Sequence, residues 1–165
     1  MKTQKYITLA MLSLATTLLD TSFFSFIDIF EATILTTFLV LLVLVILNFR
    51  REALYFASFS ILFFTIFSSV PIYLLFVLFF GIPIAIYLVK TKIAVNQENI
   101  FWVIIIFLVA NFFFDLLLLV FWGEANANAL TSLMFFTIVN TIFGLLIFYI
   151  TKIIIRYFNI EIKEI

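Results

Sequence analysis

The sequence predicts an all-α membrane protein, a compact bundle of six transmembrane helices with both ends of the chain in the cytoplasm. Apolar residues make up 67% of the chain and charged residues only 11%, and the mean hydropathy is +1.36. Soluble domains are closer to half apolar and a quarter charged. A water-soluble core of this length cannot hide so many apolar side chains, so lipid is the predicted solvent.

Six apolar segments follow one another along the chain, each close to the roughly 20 residues that cross a hydrocarbon layer of about 30 Å. The predicted spans are 6–27, 32–49, 53–69, 72–89, 100–122 and 130–155. Most connections are short, which favours antiparallel packing of neighbouring helices. We therefore expect one transmembrane domain over residues 1–165. Within the fourth span, Gly81 and Pro83 predict a kink.

All nine Lys and Arg residues lie on one side of this pattern. They are Lys2, Lys5, Arg50, Arg51, Lys90, Lys92, Lys152, Arg156 and Lys163. The opposite connections hold only acidic and neutral residues, such as Glu31 and Glu124. Because cationic loops stay in the cytoplasm during insertion, this asymmetry predicts a multi-pass inner-membrane protein with both termini cytoplasmic. Arg50, Arg51, Lys90 and Lys92 are predicted to be topology anchors against anionic lipid.

The composition also excludes several classes of function. The chain has no Cys and no His, which excludes disulfides, thiolate or imidazole metal ligands, and Cys or His nucleophiles. No cofactor is predicted. The cations come in pairs at span ends and do not form the basic stripe of a nucleic-acid-binding protein. No recognisable nucleophile–base pair is present, so the protein is not expected to be an enzyme.

Four polar residues inside the predicted spans are the candidate functional residues: Asp20, Asn111, Asp115 and Asn140. The two acids lie at similar predicted depth, and no Lys or Arg lies at that depth in any predicted span; Lys152 is near the cytoplasmic end of the sixth span. Three solutions remain open for each acid. It is protonated, or it accepts hydrogen bonds from nearby side chains, or it meets a cation from a partner or a transported ion.

The expected hydrogen-bond donors differ between the two acids. Around Asp20 they are the hydroxyls of its own span, namely Thr16, Thr17, Thr21 and Ser22. For Asp115 the expected partner is Asn111, one helical turn away. Asn140 is expected to hydrogen-bond between helices.

Small residues give the third span one narrow face, formed by Ala53, Ala57 and Ser60. Transmembrane helices approach one another closely where such residues repeat every four positions. This face predicts a helix contact within the bundle or, alternatively, a docking face for a partner helix.

Three stretches of the chain carry a family resemblance: the run 18–24 (Leu-Leu-Asp-Thr-Ser-Phe-Phe), the run 51–54 (Arg-Glu-Ala-Leu) and the run 67–72 (Phe-Ser-Ser-Val-Pro-Ile). They resemble the rod-shape-determining protein MreD family. The resemblance covers about the first ninety residues. It implies a non-enzymatic subunit of the cell-wall elongation machinery, with a partner resembling MreC and, through it, an actin-like MreB filament and wall synthases.

The sequence departs from this family at one place. The family usually has a Gly-Phe-x-x-Gly-Leu run followed by an acid in the third span, where this chain has Phe-Ala-Ser-Phe-Ser-Ile at 56–61 and no acid after it. Any role that this acid has in the family therefore cannot be assigned to a residue of this chain. Two alternatives stay open: the substrate-binding subunit of an energy-coupling-factor vitamin transporter, and a small ion carrier that uses Asp20 and Asp115.

Overall fold

The computed structural model describes residues 2–23, 33–93, 99–121 and 129–157, which are helical apart from short turns. The α-helices are α1 (Lys2–Leu18), α2 (Thr36–Ile46), α3 (Arg50–Phe67), α4 (Ile72–Phe76), α5 (Ile82–Ile93), α6 (Ile100–Phe121) and α7 (Ala129–Tyr157). A π turn extends α1 over Leu19–Phe23, and a second, Val77–Gly81, joins α4 to α5 in one continuous rod, the α4–α5 helix. The all-α prediction is confirmed for these residues.

Among the described residues, three helices are long and apolar enough to cross a membrane. They are Ile72–Lys92, Ile100–Phe121 and Thr131–Tyr157. α2 is equally apolar but has only 11 residues, about 16 Å at 1.5 Å per residue. α3 has 18 residues, but its first turn contains Arg50, Arg51 and Glu52. The helices are those of a membrane protein.

α2 is the central helix, and it is shorter than the predicted span 32–49. Eight of its 11 side chains are buried, and it contacts α1, α3, α5 and α7. Its C-terminal end is fixed by Asn48, whose φ of 63° lies in the left-handed region. The N–H of Asn48 donates to the carbonyl of Val45 (3.2 Å), and the N–H of Phe49 donates to that of Leu44 (2.9 Å). This Schellman motif ends the helix before the predicted boundary.

Paired contacts show that α1 and α3 run parallel. Lys5 forms an ion pair with Glu52, and the hydroxyl groups of Ser13 and Ser60 lie 2.9 Å apart; both pairs are separated by 47 positions. Burial alone would raise the pKa of Glu52, but the hydrogen bond from Lys5 and the charges of Lys5 and Arg51 outweigh it, so the pKa is lowered from 4.5. The start of α2 lies beside the end of α1, where Thr36 contacts both Asp20 and Thr16, so these two helices are antiparallel.

The remaining helices continue this alternation of direction. Asn140 on α7 meets Leu35 at the start of α2, and Gly144 on α7 lies close to Leu39 one turn further along, so α2 and α7 are parallel. α6 runs antiparallel to α7. Phe107 lies close to Gly144, and Phe114 stacks on Phe136 with ring centroids 6.3 Å apart.

The same alternation brings basic residues of three helices to one end of the bundle. α3 and the α4–α5 helix are antiparallel, with the Arg50 guanidinium 4.2 Å from the centre of the Tyr87 ring. Lys90 of α5 reaches the C-terminal end of α2, where its Nζ donates to the carbonyl oxygens of Val45 and Ile46. With the ion pair of Lys5, these contacts place the ends of α1, α3 and α5 that carry cations side by side.

A cluster of five phenylalanine rings connects five segments of the bundle. Phe38 of α2 contacts Phe114 of α6 (4.3 Å between ring centroids) and Phe79 of the second π turn (6.3 Å), and the cluster extends to Phe64 of α3 and Phe136 of α7. Lipid tails are as apolar as these rings, so burial from lipid gives little hydrophobic driving force. The cluster stabilises the bundle through close packing.

Pro83 is accommodated by a π turn. The N–H of Ile82 donates to the carbonyl of Val77, a π-type pairing five residues apart. Pro83 has no N–H and its ring excludes the usual α-helical bond at this position. The sequence predicted a kink at Gly81 and Pro83, and the structure has a change of helical pitch there.

Gly144 provides a test of this packing. A Cβ at Gly144 would lie 2.5 Å from Cε1 of the buried Phe107 ring and 3.2 Å from Cδ2 of Leu39. We expect Gly144→Ala to destabilise the protein by about 1–3 kcal/mol, as overpacking does. The measurement is thermal unfolding of the purified protein in detergent micelles.

Gly81→Ala is the matched control, since a Cβ there meets only Cγ1 of Val77, at 3.7 Å. It should be neutral or stabilising by up to about 1 kcal/mol, because Ala favours helix more than Gly does. Equal losses for the two variants would contradict the packing described for Gly144.

Candidate functional site

The most concentrated set of buried polar contacts surrounds the start of α2 and forms what we call the α2 cap site: Asp20, Thr36, Thr37, Asn140 and the backbone of residues 33–35. The first N–H groups of any helix lack partners within that helix. The N-cap residue of α2 is Leu35, whose side chain cannot accept a hydrogen bond. The acceptors come from other helices.

Asp20, in the π turn that extends α1, caps α2 from outside. Its Oδ1 accepts a hydrogen bond from the N–H of Thr36 (2.7 Å), and its Oδ2 accepts one from the N–H of Thr37 (2.9 Å). The hydroxyl of Thr36 also donates to Oδ1. The negative carboxylate thereby lies at the positive end of the α2 dipole. Asp20 is 8% exposed, so these protein contacts replace water almost entirely.

Asn140, on α7, pairs with the non-helical backbone that leads into α2. Its Oδ1 accepts from the N–H of Leu35 (2.9 Å), and its Nδ2 donates to the carbonyl of Thr33 (2.8 Å) and to that of Phe136 (3.1 Å). Asn140 is fully buried. The Asn140 amide thus pairs with the N–H of Leu35 and the carbonyl of Thr33. In a helix that started earlier, these two backbone groups would bond within the helix; because Asn140 pairs with them instead, α2 can begin at Thr36.

The sequence located these two residues but not their partners. Of the hydroxyls expected around Asp20, that of Thr16 donates to the carbonyl of Ser13 and that of Thr21 donates to the carbonyl of Thr17, while that of Thr17 has no hydrogen-bond partner among the described residues. The donors described for Asp20 belong to α2. A periodicity along α1 carries no information about residues 16 and 17 positions further on, which is why sequence reasoning missed Thr36 and Thr37.

The expected pairing of Asn111 with Asp115 is not observed. Asn111 is 1% exposed, and its Nδ2 donates to the hydroxyl of Thr141 on α7 (3.3 Å), which joins α6 to α7. Asp115 is half-buried, and no hydrogen bond or ion pair reaches it from the described residues. The structure therefore separates the two acids: Asp20 holds α2, and Asp115 takes no part in the α2 cap site.

Four buried oxygens have no hydrogen-bond partner among the described residues: Oγ1 of Thr17, Thr37 and Thr137, and Oδ1 of Asn111. They lie on α1, α2, α6 and α7, the helices that also supply the capped and paired residues. The described part of the chain contains no group of three Asp or Glu side chains that could hold a metal ion.

The narrow face of α3 is divided between two neighbours. Ala53, Ala57 and Ser60 are all buried. Ser60 pairs with Ser13 of α1, and its hydroxyl also donates to the carbonyl of Phe56 (2.8 Å). Ala53 and Ala57 line a cavity that α3 shares with α2 and α5.

Three of the four predicted topology anchors are exposed, and one is not. Arg50, Arg51 and Lys92 are exposed, whereas Lys90 is 5% exposed. The Nζ of Lys90 donates to the last carbonyls of α2 and to Oδ1 of Asn48 (2.5 Å). Its cation is therefore directed at the negative end of the α2 dipole, and the prediction that it simply faces lipid headgroups does not describe its position.

Comparisons of the chain with protein-family models, with curated proteins and with solved structures find no match. The chemistry that the site supports follows from its geometry. Carboxylate, amide and ammonium groups bind backbone at both ends of one short helix, so the α2 cap site joins α1, α2 and α7, and Lys90 joins α5 to α2.

Asp20→Ala should destabilise the protein by about 1–2 kcal/mol, the usual cost of removing a helix N-cap. Two backbone N–H groups of α2 lose their acceptors in this variant. Asp20→Asn retains one side-chain oxygen as an acceptor and should therefore lose less stability than Asp20→Ala. Unfolding in detergent micelles measures both variants.

Asp115→Ala is the control, because it removes an acid at similar predicted depth without removing any described hydrogen bond. It should change stability by less than Asp20→Ala. If Asp115→Ala lowered the stability as much as Asp20→Ala does, capping of α2 would not be the reason for the effect of Asp20→Ala.

Proposed function

We propose that the protein is a non-enzymatic scaffold of the bacterial inner membrane, an MreD-like subunit of the cell-shape and cell-wall elongation complex. The observation that carries the proposal is the use of the buried polar residues. Asp20, one of the two acids of the ion-carrier alternative, and the buried Asn140 are both engaged with the backbone at the start of α2. This arrangement supports an architectural role.

The three stretches that resemble the MreD family contain residues at joints of the bundle. Asp20 caps α2, Glu52 pairs with Lys5, and the hydroxyl of Ser68 accepts a hydrogen bond from the N–H of Val70 (3.2 Å) in the turn before α4. A resemblance that falls on such positions supports a shared fold over α1 to α5.

Six membrane crossings, with the start of α1 and the end of α7 in the cytoplasm, are part of this proposal. The helix directions alternate, and contacts of Lys5, Arg50 and Lys90 put the basic ends of three helices together. Cationic ends on one side favour their retention in the cytoplasm. The short α2 crosses together with the non-helical backbone at its start, which is tolerated where it is buried in protein.

Single-cysteine labelling tests these crossings, since the chain has no Cys of its own. Ser69 and Lys92 are both exposed; Ser69 precedes the α4–α5 helix, and Lys92 lies in its last turn, at the opposite end. We expect a membrane-impermeant maleimide to label Ser69→Cys from the periplasm and Lys92→Cys only after the membrane is opened. Labelling of both from the same side would contradict the alternation.

The proposed partners are an MreC-like membrane protein and, through it, an actin-like MreB filament and wall synthases. Depletion of the protein should give rounded cells, and the tagged protein should co-purify with wall-elongation proteins. Asp20→Ala should weaken both shape rescue and protein stability, whereas Asp115→Asn should leave stability intact.

Two results would contradict the proposal. Unchanged cell shape with loss of vitamin uptake would favour the transporter subunit. Ion flux in proteoliposomes that is abolished by Asp115→Asn would favour the ion carrier.

A further inference from the structure

An apolar groove of about 210 Å³ lies between α3 and α5, with α2 behind it. The small side chains of Ala53 and Ala57 form part of its wall. Leu54 is 51% exposed and Ile84 is 47% exposed, so the groove opens between them on the outer surface of the bundle. In a membrane, this surface faces lipid chains.

The basic end of the groove carries a fixed and unpaired cation. Arg50 and Tyr87 both line it, and the guanidinium lies 4.2 Å from the centre of the Tyr87 ring. Stacking on an aromatic ring holds a guanidinium in place but leaves its N–H groups available. Glu52, the nearest acid in sequence, is engaged with Lys5, and no carboxylate among the described residues pairs with Arg50.

From this arrangement we propose that the groove is a binding site for an anionic phospholipid of the leaflet at the basic end of the bundle. The phosphate of the headgroup lies at Arg50, where the planar guanidinium can donate two parallel hydrogen bonds. One acyl chain lies in the groove along Ala53 and Ala57. From Arg50 to Ala57 the groove follows α3 for about 10 Å, within the roughly 15 Å of hydrocarbon in one leaflet.

Charge complementarity distinguishes this groove from a larger one of about 430 Å³ between α5 and α6. Lys90 lines that groove, but Lys90 is 5% exposed and its ammonium is bound to the carbonyls of α2 and to Asn48. It has no free donor for a headgroup. Arg50 is exposed and unpaired, so the smaller groove is the one that selects an anion.

Native mass spectrometry of the full-length protein, purified in detergent, tests the site. Phosphatidylglycerol and phosphatidylcholine with the same acyl chains are the probes. We expect phosphatidylglycerol to be retained preferentially as a single tightly bound molecule. Arg50→Gln should weaken that binding about fivefold, the effect of one interfacial cation.

Arg51→Gln is the matched control, because Arg51 is exposed on the next position of the same helix but does not line the groove. It removes the same charge and should leave the tightly bound molecule in place. Equal weakening by Arg50→Gln and Arg51→Gln would overturn the proposal, since it would indicate general attraction to a basic surface.

The acyl chain has its own test. Ala53→Leu narrows the groove without changing charge and should weaken binding of phosphatidylglycerol, with circular dichroism confirming that the variant is folded. Unchanged binding by folded Ala53→Leu, or equal retention of the two lipids by the unaltered protein, would overturn the site. Occupation of the groove by a helix of a co-purified protein, mapped by cross-linking, would also overturn it.

Discussion

A short helix buried at the centre of the bundle imposes the main constraint on this structure. α2 has 11 residues, and its unpaired backbone groups lie inside the protein, where water cannot satisfy them. A buried backbone group without a partner costs about 1–3 kcal/mol, and more in hydrocarbon. Asp20, from α1, and Asn140, from α7, supply acceptors to three successive N–H groups, those of Leu35, Thr36 and Thr37. Formation of α2 therefore depends on the segment that precedes it, through Asp20, and on α7, through Asn140, 105 positions from Leu35.

At the C-terminal end of α2, the backbone carbonyls without partners in the helix are bound by a side chain of positive charge. Asn48 closes the helix in a left-handed conformation, and Lys90 donates to the last carbonyls. A buried carboxylate and a buried ammonium are each costly alone. At the two ends of one helix, each faces a partial charge of opposite sign, a favourable interaction of about 0.3–2 kcal/mol. The α2 dipole adds to the hydrogen bonds of Asp20 and Lys90, and together they compensate for the burial of these two groups.

Much of this fold could be predicted from the sequence, but the ends of α2 could not. Hydropathy predicted apolar helices, because long apolar runs are local features, and three of the described helices are long and apolar enough to cross a membrane. Lys90 shares the predicted cytoplasmic side with Arg50 and Arg51, which suggested that it lies at the surface. Only the packing of α5 on α2 reveals that Lys90 is buried. The start of α2 is decided by Asn140, 105 positions away from Leu35. Contacts of that separation leave no periodic signal, so the α2 cap site is visible only in three dimensions.

The engagement of the buried polar residues determines where recognition can occur. Asp20, Lys90 and Asn140 hold α2, so a change at any of them alters the packing of that helix. The groups available to other molecules lie on the outer surface, where Arg50, Arg51 and Lys92 are exposed at the basic end. Between apolar surfaces in lipid there is no hydrophobic drive for association, so specificity must come from shape and from such charges. The proposed scaffold role rests on this division between polar groups bonded inside the bundle and cations exposed at its surface.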